Sequence, residues 1–347
     1  MVEWLAGNRI RGTSAEKPVL GLQSPSVGGW VELGRTTLGS SGDSISVASL
    51  PDKRYYMILG DYLPDGNFNG KYRFNNDSVS NYARRNSGDG ATDTTAISQT
   101  EFQTDTIAGN NFEQFDIGYV SNLSTKEKLI QMHTIKHDGN GAGTNIKRIE
   151  SVGKWDNTSD AINRIDCVNA SAGSFASGSE CVVLGWDPTD THTTNFWEEL
   201  ASVNGDGTST TLSSGTITAK KYLWTQMYSD DTTNAVMRFN SDSGSNYARR
   251  GSVDGASDFT VAPTTGSSNL PSSNEAFGNC FIINNASNEK LGISHGIDQG
   301  TAGADTAPTR KEEVFKWSCE PCQITNISWT KTGNWSSNAI LKVWGSD

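Results

Sequence analysis

The chain is expected to be all-β, folding as two tandem antiparallel β-sandwich (jelly-roll-like) domains related by internal duplication. Three observations predict this. Arg73 to Asp93 reads RFNNDSVSNYARRNSGDGATD and Arg238 to Asp258 reads RFNSDSGSNYARRGSVDGASD, with 16 of 21 positions identical at a constant offset of 165. A recurrence on that scale marks a repeated structural unit and has to be recognised before local structure is read. The composition is lean in hydrophobics, 34%, and holds 36 glycines in 347 residues, which suits tight turns between strands better than long amphipathic helices. Short apolar segments are separated by Gly, Asn, Asp and Ser clusters at intervals of about ten residues, the spacing of a sandwich.

Taken in order, residues 1–29 have no counterpart in the second copy, and their Gly, Ser and Pro content predicts an N-terminal arm. The first domain covers 30–187. Its strands are expected near 31–38, 43–49, 54–62, 71–75, 80–86, 112–121, 127–136, 147–155, 162–168 and 180–186. A polar linker follows at 188–194, and the second domain, 195–347, repeats the series. Trp30, Glu32 and Leu33 fall against Trp197, Glu199 and Leu200, and residues 115–165 align without a gap to 277–327 at an offset of 162. Leu129, Gln131, His133 and Ile135 align with Leu291, Ile293, His295 and Ile297; because side chains alternate across a strand, this face is expected to turn inward.

Charge and hydropathy narrow the function classes. A net charge of -11 and a pI near 4.9 repel a phosphate backbone, so nucleic acid is not an expected partner. No stretch approaches 18 apolar residues, so membrane insertion is not expected, and the first residues lack the apolar run of a secretory signal, so the chain is expected to be made without export.

Candidate sites are few. Asn81, Tyr82, Arg84 and Arg85 recur as Asn246, Tyr247, Arg249 and Arg250. Adjacent arginines beside a tyrosine suit a carboxylate or a sugar ring. The structural alternative, favoured here, is a half-buried strand whose arginines pair with Asp77, Asp89 and Asp93, or with Asp242, Asp254 and Asp258. His133 and His295 are the only recurring histidines and are read as half-buried residues hydrogen-bonded across a sheet. Asp65, Asn67 and Asn69, followed by Gly70, open like a calcium loop, but its twelfth position is Asn76 where a bidentate Glu belongs. No cofactor is expected: calcium is the alternative here, and hairpin turns explain this stretch and Asp138 to Gly143 adequately.

Cys319 and Cys322 form a CxxC; with five cysteines and no second CxxC, a local disulfide or two inert thiols are expected ahead of zinc. Glu113 and Asp116 could act as paired carboxylates on a glycosidic bond, yet they align with Glu275 and Gly278. No catalytic residue is assigned and the chain is not expected to be an enzyme.

The stretches RFNNDSVSNYARRNS and EKLIQMHTIKHDGNGAGTNIKRIESVGKW resemble repeat modules in structural proteins of uncultured marine viruses, including viruses of archaea. The resemblance covers both domains and implies a virion context. Tandem jelly rolls are also the plan of double jelly-roll major capsid proteins, an analogy of architecture alone. The expectation is a self-assembling virion structural protein, capsid or other particle-surface component, assembled in the host cytoplasm with copies of itself and other virion proteins as partners. The alternative is a glycan-binding adhesin or receptor-binding protein that uses Trp4, Trp30, Trp197 or Trp335 on exposed loops to hold host glycans.

Overall fold

The computed structural model describes residues 4–5, 8–9, 29–104, 112–188, 190, 194–230, 234–270, 275–300, 302–304 and 306–347. Most of the expected N-terminal arm lies outside these residues, as does part of the expected linker. Within the arm, Trp4–Leu5 (β1) pairs with Asn8–Arg9 (β2).

The first repeat continues with Val31–Thr37 (β3), Ser44–Ala48 (β4), Tyr55–Tyr62 (β5), Pro64–Asp65 (β6), Gly70–Phe74 (β7), Tyr82–Gly88 (β8) and Thr94–Gln99 (β9). Phe102–Gln103 (β10), Gln114–Ser121 (β11), Lys128–His137 (β12), Ile146–Trp155 (β13), Arg164–Asn169 (β14), Ser174–Phe175 (β15) and Glu180–Trp186 (β16) complete it. The second repeat contains Glu198–Asn204 (β17), Thr211–Ser213 (β18), Tyr222–Ser229 (β19), Val236–Phe239 (β20), Tyr247–Val253 (β21) and Phe259–Thr264 (β22). It ends with Ser268–Asn269 (β23), Ala276–Ile283 (β24), Lys290–Asp298 (β25), Thr309–Trp317 (β26), Ile327–Thr330 (β27) and Ile340–Ser346 (β28). All ten strands expected in the first repeat are present. The additional β9 is mostly exposed and lacks the apolar alternation that would have announced it.

The chain is all-β, and its repeats share one topology. An eight-stranded sheet in the order β3-β16-β5-β11-β12-β13-β8-β9 accompanies a four-stranded sheet β10-β7-β14-β4. The second repeat reproduces both, as β17-β28-β19-β24-β25-β26-β21-β22 and β23-β20-β27-β18. The paired strands are antiparallel, and each pair of unequal sheets encloses a core. In the first, Ile45, Tyr56, Ile58, Phe74, Met132 and Trp155 interlock; in the second, Leu223, Phe239, Phe315, Trp317, Trp329 and Leu341 do so.

Compactness divides the chain slightly differently from its repeats. The first unit holds residues 1–88, 92–134 and 149–198; the second holds 89–91, 135–148 and 199–347. Thus the outer end of the β12–β13 hairpin and the β8–β9 turn carry first-repeat sequence and belong to the second unit.

The face of β12 expected to turn inward does not. Ile130 and Met132 enter the first core, while Leu129 and Gln131 are exposed. In β25 the core side is Gly292, Ser294 and Gly296, and a Cβ on Gly292 would come within 2.1 Å of the Phe315 ring. Leu291 and Ile293 are buried without joining that core. Strand β12 is apolar on both sides, so a period of two identified the two faces without saying which was interior.

Candidate functional site

The most repeated motif is structural in its contacts. Asp77 and Asp242 sit in the turn before β8 and β21. The Trp155 indole donates to Asp77 Oδ2 at 2.8 Å and Asn81 donates to the same oxygen at 2.8 Å. In the second repeat Trp317 reaches Asp242 Oδ2 at 2.7 Å and Asn246 reaches it at 2.9 Å. These bonds, with a backbone N–H to each carboxylate, outweigh burial and hold both aspartates below the ordinary range. The Tyr82 and Tyr247 hydroxyls accept from Phe74 N and Phe239 N, at 2.9 and 3.1 Å, and burial pushes both phenols up. Each ring stacks on its tryptophan, with centroids 6.3 and 6.1 Å apart. Tyrosine, tryptophan and aspartate thereby lock the same corner in each sandwich.

Of the arginine–aspartate pairs expected, Arg85–Asp93 is present, while Arg249 and Arg250 find other carboxylates. Arg85 faces Asp93 at 3.4 Å, both exposed, whereas Arg250 pairs with Asp89 at 2.8 Å. Arg249 bonds the buried Glu313 at 3.1 Å. Ser151 stands at the position of Glu313 in the first repeat, and the Nε and Nη1 of the counterpart Arg84 are buried without a hydrogen-bond partner among the described residues. Desolvation lowers its pKa accordingly.

The remaining candidates are dispersed. Asp65 accepts from Ser41 at 3.1 Å, the Asn67 carbonyl accepts from Gly173 N at 2.9 Å, and Asn69 Oδ1 accepts from Gln103 at 3.1 Å, so these oxygens are engaged with three separate partners. Cys319 and Cys322 are disulfide-bonded, with Cα atoms 5.7 Å apart, and Cys167, Cys181 and Cys280 are buried thiols. His133 is half-buried and its Nδ1 contacts Glu150 on the neighbouring strand. Asp116 is buried beneath donors from Tyr72 (2.9 Å), Thr134 (2.7 Å) and Gln114 (2.9 Å), an interior polar network and not an open carboxylate. Of the loop tryptophans, Trp197 and Trp335 are buried, Trp30 is half-buried, and the side chain of Trp4 lies outside the described residues.

The densest polar constellation surrounds the hairpin end in the second unit. Arg148 Nη2 and Nε contact the two oxygens of Asp258 at 2.6 and 3.3 Å, and its Nη1 reaches Glu312 at 3.2 Å. Arg148 N donates to Asp89 Oδ1 at 3.0 Å, and Asp89 N donates to Arg148 O at 2.7 Å, which binds the β8–β9 turn to the hairpin. Deeper in, buried Lys316 forms an ion pair with Glu289 at 3.1 Å and donates to Gly139 O and Thr144 Oγ1, both at 2.6 Å. Gly141 N donates to Glu289 Oε1 at 2.7 Å. The hairpin loop needs positive φ at Gly139 (139°) and Gly141 (85°), which glycine supplies without strain.

Burial lowers Lys316, and it also lowers His137 to about 4 despite Glu289 Oε2 at 3.2 Å, so the imidazole is neutral at pH 7. Burial alone would raise Glu289. The Ser318 bond, the His137 and Lys316 charges and Gly141 N–H bring it below its ordinary value. A buried charged cluster is weak evidence for stability, because desolvation cancels much of the attraction, but it fixes one docking geometry sharply. Nothing in the sequence singles this site out: Asp138 to Gly143 reads as a hairpin turn, and the site's carboxylates and lysine lie inside stretches that align between the repeats without a gap.

No family model matches the chain, and no curated protein matches it. Among solved structures, Ail, the attachment invasion locus protein of Yersinia pestis, aligns at 8% identity over 77% of this chain and 99% of its own, with a TM-score of 0.14. Human GIVD cytosolic phospholipase A2 aligns at 7% identity over 78% and 33%, with a TM-score of 0.12. The outer membrane protein OprG from Pseudomonas aeruginosa aligns at 6% identity over 85% and 98%, with a TM-score of 0.09. No helix among the described residues is long and apolar enough to cross a membrane.

Proposed function

We propose that this chain is a self-assembling structural protein of a virus particle, a capsid or other surface component, whose partners are further copies of itself and other virion proteins. The observation that carries the reading is the exposure of large apolar side chains on regular strands: Ile97, Leu129, Val152, Phe277 and Ile297 all reach solvent. Several such side chains on ordered sheet faces, bordered by charge, are the surface of a protein that meets another protein. The polar motifs support the same reading, because their hydrogen bonds hold turns and strands in place. The viral setting rests on the resemblance of the two repeated stretches.

Electron microscopy of the purified protein tests the proposal. Ordered assemblies, or incorporation into particles, are the expected result. A strictly monomeric chain at high concentration that is absent from particles would overturn it.

A further inference from the structure

The constellation around Arg148 has a second, more exposed set of matching parts in the same chain. The residues that hold the hairpin end in the second unit are Arg250, Asp258, Glu289, Glu312 and Lys316. Their counterparts in the first repeat, Arg85, Asp93, Glu127, Glu150 and Lys154, are identical in type. The held element is duplicated too: Asp89, Gly90, Ala91, Gly141, Thr144 and Arg148 recur as Asp254, Gly255, Ala256, Gly303, Thr306 and Arg310. The second copy keeps its shape. Arg310 N donates to Asp254 Oδ1 at 2.8 Å and Asp254 N donates to Arg310 O at 2.9 Å, matching the two bonds between Arg148 and Asp89.

Exposure separates the two sets. On the seat, Leu291 and Val314 are 0% and 1% exposed, while Leu129 and Val152 in the first repeat are 58% and 49% exposed. On the hairpin, Ile135 is 0% exposed and its counterpart Ile297 46%. The Arg148 side chain is 6% exposed, and that of Arg310, whose nearest carboxylate is Glu312 at 3.6 Å, is 62% exposed. Identical side chains are therefore covered in one setting and open in the other. Lys154 and Glu127 still pair at 3.0 Å, but in solvent. The open seat and the open hairpin end lie on different repeats.

We infer that copies of this chain join head to tail: the hairpin end around Ile297, Thr306 and Arg310, with the Asp254–Ala256 turn, of one copy docks on the β12–β13 face around Leu129, Val152, Asp93 and Lys154 of the next. Arg310 then meets Asp93 as Arg148 meets Asp258, and Ile297 covers part of the exposed apolar face. The two surfaces differ, so the contact is heterologous and propagates into a filament or closes into a ring. One contact of the internal pattern is missing, because His137, which faces Glu289, is replaced by Gln299. The association between copies is accordingly weaker than the internal one and depends on concentration.

The inference rests on the self-assembly reading and gives it a geometry. Sedimentation velocity over a concentration series tests it with Arg310→Glu, which blocks the hairpin end, and Leu129→Asp, which blocks the seat. Both positions are exposed, so neither substitution disturbs a core. The wild-type chain is expected to form species that grow beyond a dimer, each variant to remain monomeric, and an equimolar mixture of the two to yield a 1:1 dimer and nothing larger. That dimer also shows that both variants are folded. Assembly of either variant like the wild type, or a mixture that stays monomeric while the wild type assembles, overturns the head-to-tail pairing and leaves self-assembly standing. A wild-type chain that never assembles overturns both.

Discussion

Replacing Arg148 by methionine keeps most of the aliphatic stem and removes the guanidinium. Three charge-assisted contacts disappear, two to Asp258 and one to Glu312. The Asp258 side chain is buried in this setting while Glu312 remains partly exposed. Stranding one buried carboxylate costs about 3–5 kcal/mol; partial solvation of Glu312 places the expected loss near the lower end, about 3 kcal/mol. The same substitution at Arg310 removes an exposed side chain with one contact at 3.6 Å and should cost under about 0.5 kcal/mol. Urea unfolding combined with segment-resolved hydrogen exchange reads both. Arg148→Met should lower the midpoint and strip protection from residues 135–148, and Arg310→Met should leave both unchanged in dilute, monomeric protein. Equal effects at the two arginines would refute the contrast, since sequence context is shared and only burial differs.

Asp77→Ala and Asp242→Ala should each destabilise by about 2 kcal/mol, the cost of leaving a buried tryptophan N–H without its charged acceptor; thermal melting checks this, and a change within error at both positions contradicts the corner lock. Arg249→Met removes one of two cations from buried Glu313, which keeps Lys311 at 3.2 Å and Ser268 at 2.6 Å, and should cost about 2 kcal/mol, whereas Arg84→Met removes a guanidinium whose Nε and Nη1 are buried with no hydrogen-bond partner among the described residues and should be neutral or stabilising by about 1 kcal/mol, as read by the shift in urea midpoint. The pH dependence carries a definite sign. Because burial lowers His137 from 6.5 to about 4, the unfolded chain takes up a proton that the folded chain refuses between those values. Stability is full above pH 6.5 and is lost as pH falls toward 4, by at most about 3 kcal/mol. His137→Gln, the residue its counterpart Gln299 already carries, should flatten that slope in unfolding curves across the window; an unchanged slope would assign the pH dependence to other groups.

Much of the fold was legible because repetition acts as an internal experiment. Two copies that share Tyr82 and Tyr247, Trp155 and Trp317, and Asp77 and Asp242 must share the corner those residues build, and ten strands followed from apolar runs between turn clusters. Strand β9 and the two-residue strands β6, β10 and β15 were not legible, because their residues carry neither alternation nor length. The candidate site was hidden for a related reason. A residue repeated identically in both copies looks structural in both, and sequence cannot show that the same leucine is open in one copy and covered in the other.

The sequence alone determined the all-β class, the duplication, ten strands of the first repeat and the acidic net charge, since each depends on local pattern or simple sums along the chain. Tertiary structure decided which face of β12 is interior, which carboxylate each arginine meets, and that residues 135–148 belong to the second unit. Those outcomes turn on burial and on partners distant in the chain, where desolvation separates Arg148 from Arg310 and Leu291 from Leu129 although their sequence contexts are alike.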